Sequence, residues 1–319
     1  MKRIAVLTSG PDAPGMNAAI RAVVRSGIYH NADMYGIQGG FQGLLKNEVK
    51  HMDAASVGSI MQRGGTILQS SPCDLVFTED GQQHVYDELH KHEIDSLIVI
   101  GGKEAMLAAS ILERKGMPCV GIPATIDRDI PCVGETVGFD TALNTIVDYI
   151  DKIRDTATSH EKSSIIEVMG KDTGNLALLS GLAGGAENIL IPEKKEDLDR
   201  ILQEVQQGPG RHNRFRIIIL AEGLMNATDL HRQLKEATGM ESRVTSLGHT
   251  QRGGTPTARD RILASRLGAH AVDLVMDGES GKVVSIKDDQ PAAFGFDEVV
   301  EKRADWNESL YELPKRLSI

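Results

Sequence analysis

The chain has 319 residues, 40% apolar and 25% charged, with a net charge of −10. That length is enough for one large or two medium domains with packed cores, and the acidic balance argues against a nucleic-acid or anionic-membrane surface. Aromatic residues at 4% give little base-stacking surface, and the three cysteines (Cys73, Cys119, Cys132) show no metal-ligand spacing, as expected of reduced thiols in the cytosol.

Met1-Lys2-Arg3 runs straight into IAVLT, too short an apolar run for a secretory leader. No stretch approaches the roughly 18 apolar residues of a spanning helix, so a cytoplasmic protein is expected. Residues 3–8 read as a buried parallel strand, followed by the glycine-bearing loop from Ser9 to Gly15 and a helix from Asn17. Strand, loop and helix in that order present backbone N–H groups and a helix dipole to an anion, although a turn without a ligand has the same pattern. A second strand is expected at Met34–Ile37 and a helix at His51–Met61, leading into Gln62-Arg63-Gly64-Gly65-Thr66. Leu97–Ile100 reads as a strand ending in Gly101-Gly102, and a helix from Glu104 to Lys115 follows.

The next strand, around Cys119–Ile122, leads into Pro123-Ala124-Thr125-Ile126-Asp127-Arg128-Asp129. Alternate residues of an extended segment point the same way, so Asp127 and Asp129 can share one small volume. One carboxylate of such a pair can take a proton from an attacking hydroxyl while the other holds Mg²⁺ beside a phosphate. A D-x-D pair alone is unspecific, since most are solvated loop residues. A long helix (141–156), a strand at Ser164–Met169 ending in Gly170, further units at 176–183 and 189–191, a helix at 196–206 and a strand at 216–221 form a second α/β set. The alternation of strands and helices requires an α/β fold, with ligands off the carboxyl ends of the strands.

LTSGPDAPGMNAAIR, QRGGT, VIGG, ATIDRDI, VGFDTALNT, DKIRDTATSH, EVMGKDTGN, AEG and LGHTQRGGTPTARDRILASRLGA occur in that order over nearly the whole chain. In this the sequence resembles the bacterial ATP-dependent 6-phosphofructokinases. The resemblance implies two doubly wound three-layer (αβα) domains, residues 1–138 plus 252–300 for the nucleotide and 139–251 plus 301–319 for the sugar phosphate. It also implies a homotetramer with active sites shared between subunits, and transfer of the γ-phosphoryl of ATP, with Mg²⁺, to the 1-hydroxyl of fructose 6-phosphate in glycolysis.

Residue by residue, the resemblance makes Asp127 the general base, sets Thr125 and Lys171 in the catalytic set, and leaves Asp129 as the metal carboxylate. It assigns Lys162, Met169, Gly170, Lys171, Glu222, Arg243, His249 and Arg252 to the sugar phosphate. Gly10, Pro11, Pro72, Cys73, Gly102, Lys103, Glu104 and Ala105 fall at nucleotide positions. Arg21, Arg25, Arg154, Glu187, Arg211 and Arg214 fall at positions that hold phosphoenolpyruvate or ADP as effector.

The nucleotide loops depart from the family pattern. Lys103 and Glu104 replace Asp-Gly, Pro11 replaces a glycine, Pro72 an arginine, and Arg128 an asparagine. A lysine cannot ligate a hard cation, and proline removes an N–H. Ala108 and Ala124 stand at glycine positions, Asn175 at a carboxylate position, Ala54 and Asn213 at basic positions, and Lys162 and Lys171 where arginine is usual. Lysine keeps the charge but loses the bidentate fork. Three readings follow: an ATP-dependent phosphofructokinase with altered nucleotide chemistry, a silent member that binds sugar phosphate as a regulatory subunit, and a pyrophosphate-dependent enzyme. The last is disfavoured because Ala124 stands where that branch has lysine.

Overall fold

The computed structural model describes residues 1–72, 74–160, 162–195, 197–198, 201, 216–300 and 308–317, with backbone only at 158, 160 and 315. Two compact units are present: Met1–Thr141 with Arg252–Asp305, and Ala142–Gln251 with Trp306–Ile319.

The first unit begins with β1 (Arg3–Ser9), α1 (Met16–Tyr29), β2 (Asp33–Ile37), α2 (Gly40–Leu45) and β3 (Val49–Met52). α3 (Glu79–Lys91), β4 (Ser96–Gly101), α4 (Lys103–Arg114), β5 (Cys119–Thr125) and β6 (Val137–Gly138) follow. α5 (Phe139–His160) leads into the second unit, with β7 (Ser163–Val168), α6 (Asn175–Ala183), β8 (Asn188–Leu190), β9 (Ile217–Ala221), α7 (Ala227–Thr238) and β10 (Ser242–Ser246). The chain then returns to the first unit through α8 (Ala258–Met276), β11 (Lys282–Lys287), β12 (Gln290–Gly295) and α9 (Phe296–Val300), and α10 (Glu308–Leu317) ends the second.

The first sheet runs β12-β11-β5-β4-β1-β2-β3, with β6 beside β5. Its interior pairs are parallel, and antiparallel pairing is confined to the edges, β11–β12 and β2–β3. β4 is buried along its whole length and β1 over all but its first residue, as strands covered by helices on both faces must be. α1 and α8 pack closely: a Cβ on Gly268 would lie 2.6 Å from the Ala22 Cβ and 2.9 Å from the Ala19 carbonyl. The second sheet runs β10-β7-β9-β8, all parallel.

One expected helix does not form, and another falls largely outside the described residues. His51–Met61 is not helical: His51 and Met52 end β3, paired antiparallel with Tyr35 and Met34. Beyond them Asp53 and Ser56 close a turn, the Ser56 N–H donating to Asp53 Oδ1 (2.7 Å) and the Asp53 N–H to Ser56 Oγ (3.1 Å). Such local side-chain bonds compete with helix formation, and Ser59 at φ 53° then takes the left-handed conformation. The helix expected at 196–206 lies outside the described residues apart from Asp197, Leu198 and Ile201.

Candidate functional site

In the first sheet the chain leaves β1 for β2 on one side and reaches β4 on the other, which makes the carboxyl ends of β1 and β4 a topological switch point. Gly10 and Pro11 follow β1, Gly102 and Lys103 follow β4, and the Asp127 loop follows β5. Gly10 sits at φ 81°, its carbonyl accepting from Ser70 Oγ at 2.5 Å. The loop ahead of Ser70 is held by Asn17, whose Oδ1 accepts from the Ile67 N–H (2.7 Å) while Nδ2 donates to the carbonyls of Arg63 (3.1 Å) and Gly64 (3.2 Å). The next strand loop is equally close: a Cβ on Gly101 would lie 2.4 Å from the Ser9 carbonyl, and one on Gly102 3.6 Å from the Thr125 Cβ. The loops after β1, β4 and β5 thus adjoin one another.

Lys103 is the first residue of α4, half-buried, behind an N-cap with no side-chain cap. A cation there opposes the helix dipole, and among the described residues Lys103 has no ion-pair partner. Glu104, Pro11 and Pro72 are exposed. Ala105 and Ala108 belong to the apolar core, so only the backbone of Ala105 is left to face a ligand, and Cys73 lies outside the described residues.

The extended geometry expected for Asp127 and Asp129 is not what forms. β5 ends at Thr125, the Asp127 N–H turns back onto Thr125 Oγ1 (3.1 Å), and Arg128 is left-handed at φ 53°. The two carboxylates therefore belong to a bend, fixed further by Thr136 Oγ1 donating to the Thr125 carbonyl at 2.7 Å. Both aspartates are half-buried, and each Oδ1 is shielded from solvent. The Arg128 guanidinium lies 5.4 Å from the Phe139 ring centre. Burial brings its pKa below the ordinary arginine value, with Glu135 acting upward and Arg259 downward. The described residues hold no cluster of three or more His, Cys, Asp or Glu side chains able to bind a metal ion.

In the second unit the carboxyl edge of the sheet carries Met169, Gly170 and Lys171 after β7, Glu222 after β9 and His249 after β10. Two backbone bonds tie the first two turns: the Glu222 N–H donates to the Val168 carbonyl (2.9 Å) and the Gly223 N–H to the Gly170 carbonyl (3.0 Å). Gly170 sits at φ 137°, and a Cβ on Gly223 would lie 1.9 Å from the Lys171 carbonyl. Glu193 holds the following turn, both oxygens accepting from the Gly174 N–H at 2.8 and 3.1 Å. Lys171, Glu222 and His249 are exposed.

Lys162 and Arg243 do not join this edge. Lys162 precedes β7 and Arg243 is the second residue of β10, paired with Ser164, so both lie at the amino edge, about 20 Å of strand away. Within one chain, strand direction thus sets Arg243 apart from His249 and Arg252. Arg252 closes the Gly248–Arg252 turn with its Nε buried.

The expected effector residues divide between the units. Arg21 is half-buried and Arg25 exposed on α1, while Arg154 reaches the carbonyls of Gly184 (2.8 Å) and Gly185 (2.7 Å) and Glu187 Oε1 (3.4 Å). Glu187 also accepts from the Ile217 N–H at 2.7 Å. Arg211 and Arg214 lie outside the described residues.

Three polar residues, Asn17, Gln251 and Asp260, are given no functional role by the sequence; each is almost wholly buried. Gln251 opens the second of two QRGGT copies, a repetition that could have drawn attention to it.

The family model for phosphofructokinase matches residues 3–275. The chain is 51% identical over 319 residues to the ATP-dependent 6-phosphofructokinase of Oceanobacillus iheyensis and 53% identical over 320 residues to that of Lysinibacillus sphaericus, covering all of each chain. Among solved structures, phosphofructokinase from Saccharomyces cerevisiae superposes with a TM-score of 0.88 at 32% identity, over 94% of this chain and 45% of that longer one. A pyrophosphate-dependent phosphofructokinase from Nitrosospira multiformis shares the fold, with a TM-score of 0.87 at 16% identity over 96% of this chain and 86% of that one.

Proposed function

The chain belongs to the phosphofructokinase family, and we propose that its first unit carries the nucleotide and the base while its second recognises fructose 6-phosphate. It is a phosphotransferase of glycolysis, an ATP-dependent 6-phosphofructokinase that converts ATP and fructose 6-phosphate to ADP and fructose 1,6-bisphosphate. The observation that supports the site assignment is the half-buried Asp127–Asp129 bend beside the Gly10 and Gly102 loops at the switch point.

In this reading Asp127 accepts the proton of the sugar 1-hydroxyl as the oxygen attacks phosphorus. Thr125 holds the bend and faces the transferring group. The N–H groups around Gly10 and Gly102, with the Lys103 ammonium, take the donor phosphates. The donor set suits Mg²⁺, which in kinase sites uses one or two carboxylates together with substrate phosphates. Asp129 would hold it, and its charge would neutralise that on the phosphate oxygens. Met169, Gly170, Lys171 and Glu222 bind the sugar, and His249 and Arg252 its 6-phosphate. ADP or phosphoenolpyruvate is the effector for the arginines on α1, with Arg154, Arg211, Arg214 and Glu187. Lys162 and Arg243, at the far edge of the second sheet, serve the site of a neighbouring copy in a cytoplasmic homotetramer. No described helix is long and apolar enough to cross a membrane.

Asp127→Ser tests the assignment of the base. We expect kcat to fall by about 10²–10⁴ with sugar-phosphate binding retained; unchanged turnover would remove Asp127 from the mechanism.

A further inference from the structure

Gln251 is fully buried, and both ends of its amide are used. Oε1 accepts from the Met169 N–H at 3.1 Å, and Nε2 donates to the Gly248 carbonyl at 2.9 Å. The opposite amide orientation would set NH₂ against N–H and carbonyl against carbonyl, so the two partners fix it. Met169 begins the turn after β7 and Gly248 the turn after β10, so one side chain joins two loops that no backbone ladder can join beyond the strand ends. The ladder's last link is the Leu247 N–H to the Glu167 carbonyl, 3.0 Å. Gly248 sits at φ 47°, at the start of the Gly248–Arg252 turn in which Gln251 is the buried residue.

We propose that Gln251 is a positioning residue for sugar-phosphate recognition: its amide sets the turn bearing Met169, Gly170 and Lys171 against the turn bearing His249. The inference rests on the sugar-phosphate assignment of these loops given above. Gln251 touches no substrate itself. Losing it leaves the Met169 N–H and the Gly248 carbonyl without this partner, and each then seeks a new one by moving its loop.

The test compares Gln251→Leu and Gln251→Glu with the unaltered chain, measuring fructose 6-phosphate binding by calorimetry and the KM of each substrate. Gln251→Leu should raise the KM for fructose 6-phosphate roughly ten- to a hundredfold, with kcat and the KM for ATP little changed. In Gln251→Glu the introduced carboxylate keeps the acceptor for Met169 but loses the donor to Gly248. Burial raises the pKa of such a carboxyl, and its protonated form regains the donor. The KM of this variant relative to that of the unaltered chain should therefore fall toward unity as the pH is lowered, a response that loss of packing alone would not give.

Fructose 6-phosphate binding by Gln251→Leu equal to that of the unaltered chain would overturn the proposal alone. Absence of binding by the unaltered chain would overturn the sugar-site reading, and the role of Gln251 with it. Should neither variant fold, hydrogen exchange on the unaltered chain decides. Residues 166–172 and 247–251 should gain protection together as fructose 6-phosphate is added, and protection of one without the other would contradict the coupling.

Discussion

At residue scale the departures at the switch point separate by what surrounds them. Ala105 and Ala108 are core residues packed among apolar neighbours, whereas Lys103 and Glu104 in the first turn of α4 and Pro11 and Pro72 on loops are half-buried or exposed. Lys103 is the one among them whose charge opposes the element it begins. Replacing Lys103-Glu104 by Asp-Gly should raise kcat/KM for ATP by about tenfold, the equivalent of 1.4 kcal/mol, while leaving the KM for fructose 6-phosphate in place. Steady-state kinetics with ATP varied checks this, and an unchanged kcat/KM would mean that the loop works as it stands. The candidate catalytic carboxylates could be read from the sequence because Asp-Arg-Asp follows a β-branched strand. Their geometry could not, because the left-handed Arg128 and the turn back onto Thr125 depend on Thr136, eleven residues on.

At element scale the join between α8 and the start of α5 rests on Asp260. Its carboxylate accepts from the Gly138 N–H (2.9 Å), the Thr141 N–H (2.8 Å) and Thr141 Oγ1 (2.5 Å). Thr257, the N-cap of α8, donates in turn to Asp140 Oδ2 at 2.6 Å. In Asp260→Asn an NH₂ would face a backbone N–H, costing about 1–3 kcal/mol, which thermal unfolding would read as a lowered Tm. Burial raises the Asp260 pKa above 3.8, against the pull of the Thr141 and Gly138 hydrogen bonds and with a further push from Asp140. A raised folded-state value means stability that is full below 3.8 and is lost as pH rises through the folded pKa. The stability advantage of the unaltered chain over Asp260→Asn should therefore shrink as pH rises through that window; a gap that widens would contradict the assignment. On the other sheet, Gly223→Ala should weaken sugar-phosphate binding as well as stability, since its Cβ would meet the Lys171 carbonyl at 1.9 Å. The strands could be read because buried parallel strands are continuous apolar runs. Residues 51–61 misled because the Asp53–Ser56 turn outweighs a helical spacing of apolar residues, and Gln251 passed unread because its bond to the Met169 N–H joins loops far apart in sequence.

At the scale of the whole molecule, strand direction bears on assembly. Lys162 and Arg243 share the amino edge of a parallel sheet whose carboxyl edge holds Lys171, Glu222 and His249. If the first pair serves a neighbouring copy, Asp127→Ser and Arg243→Ala chains, each inactive alone, should recover part of the activity when mixed and reassembled. Recovery no greater than the sum of the two would place Arg243 outside a shared site. The measurement that bears most directly on the account is the steady-state formation of fructose 1,6-bisphosphate from fructose 6-phosphate and Mg²⁺, with ATP and pyrophosphate compared as donors. Turnover with ATP in the range of about 1–10³ s⁻¹ usual for enzymes is expected, and none with pyrophosphate. Fructose 6-phosphate binding without turnover from ATP, or turnover from pyrophosphate alone, would contradict it.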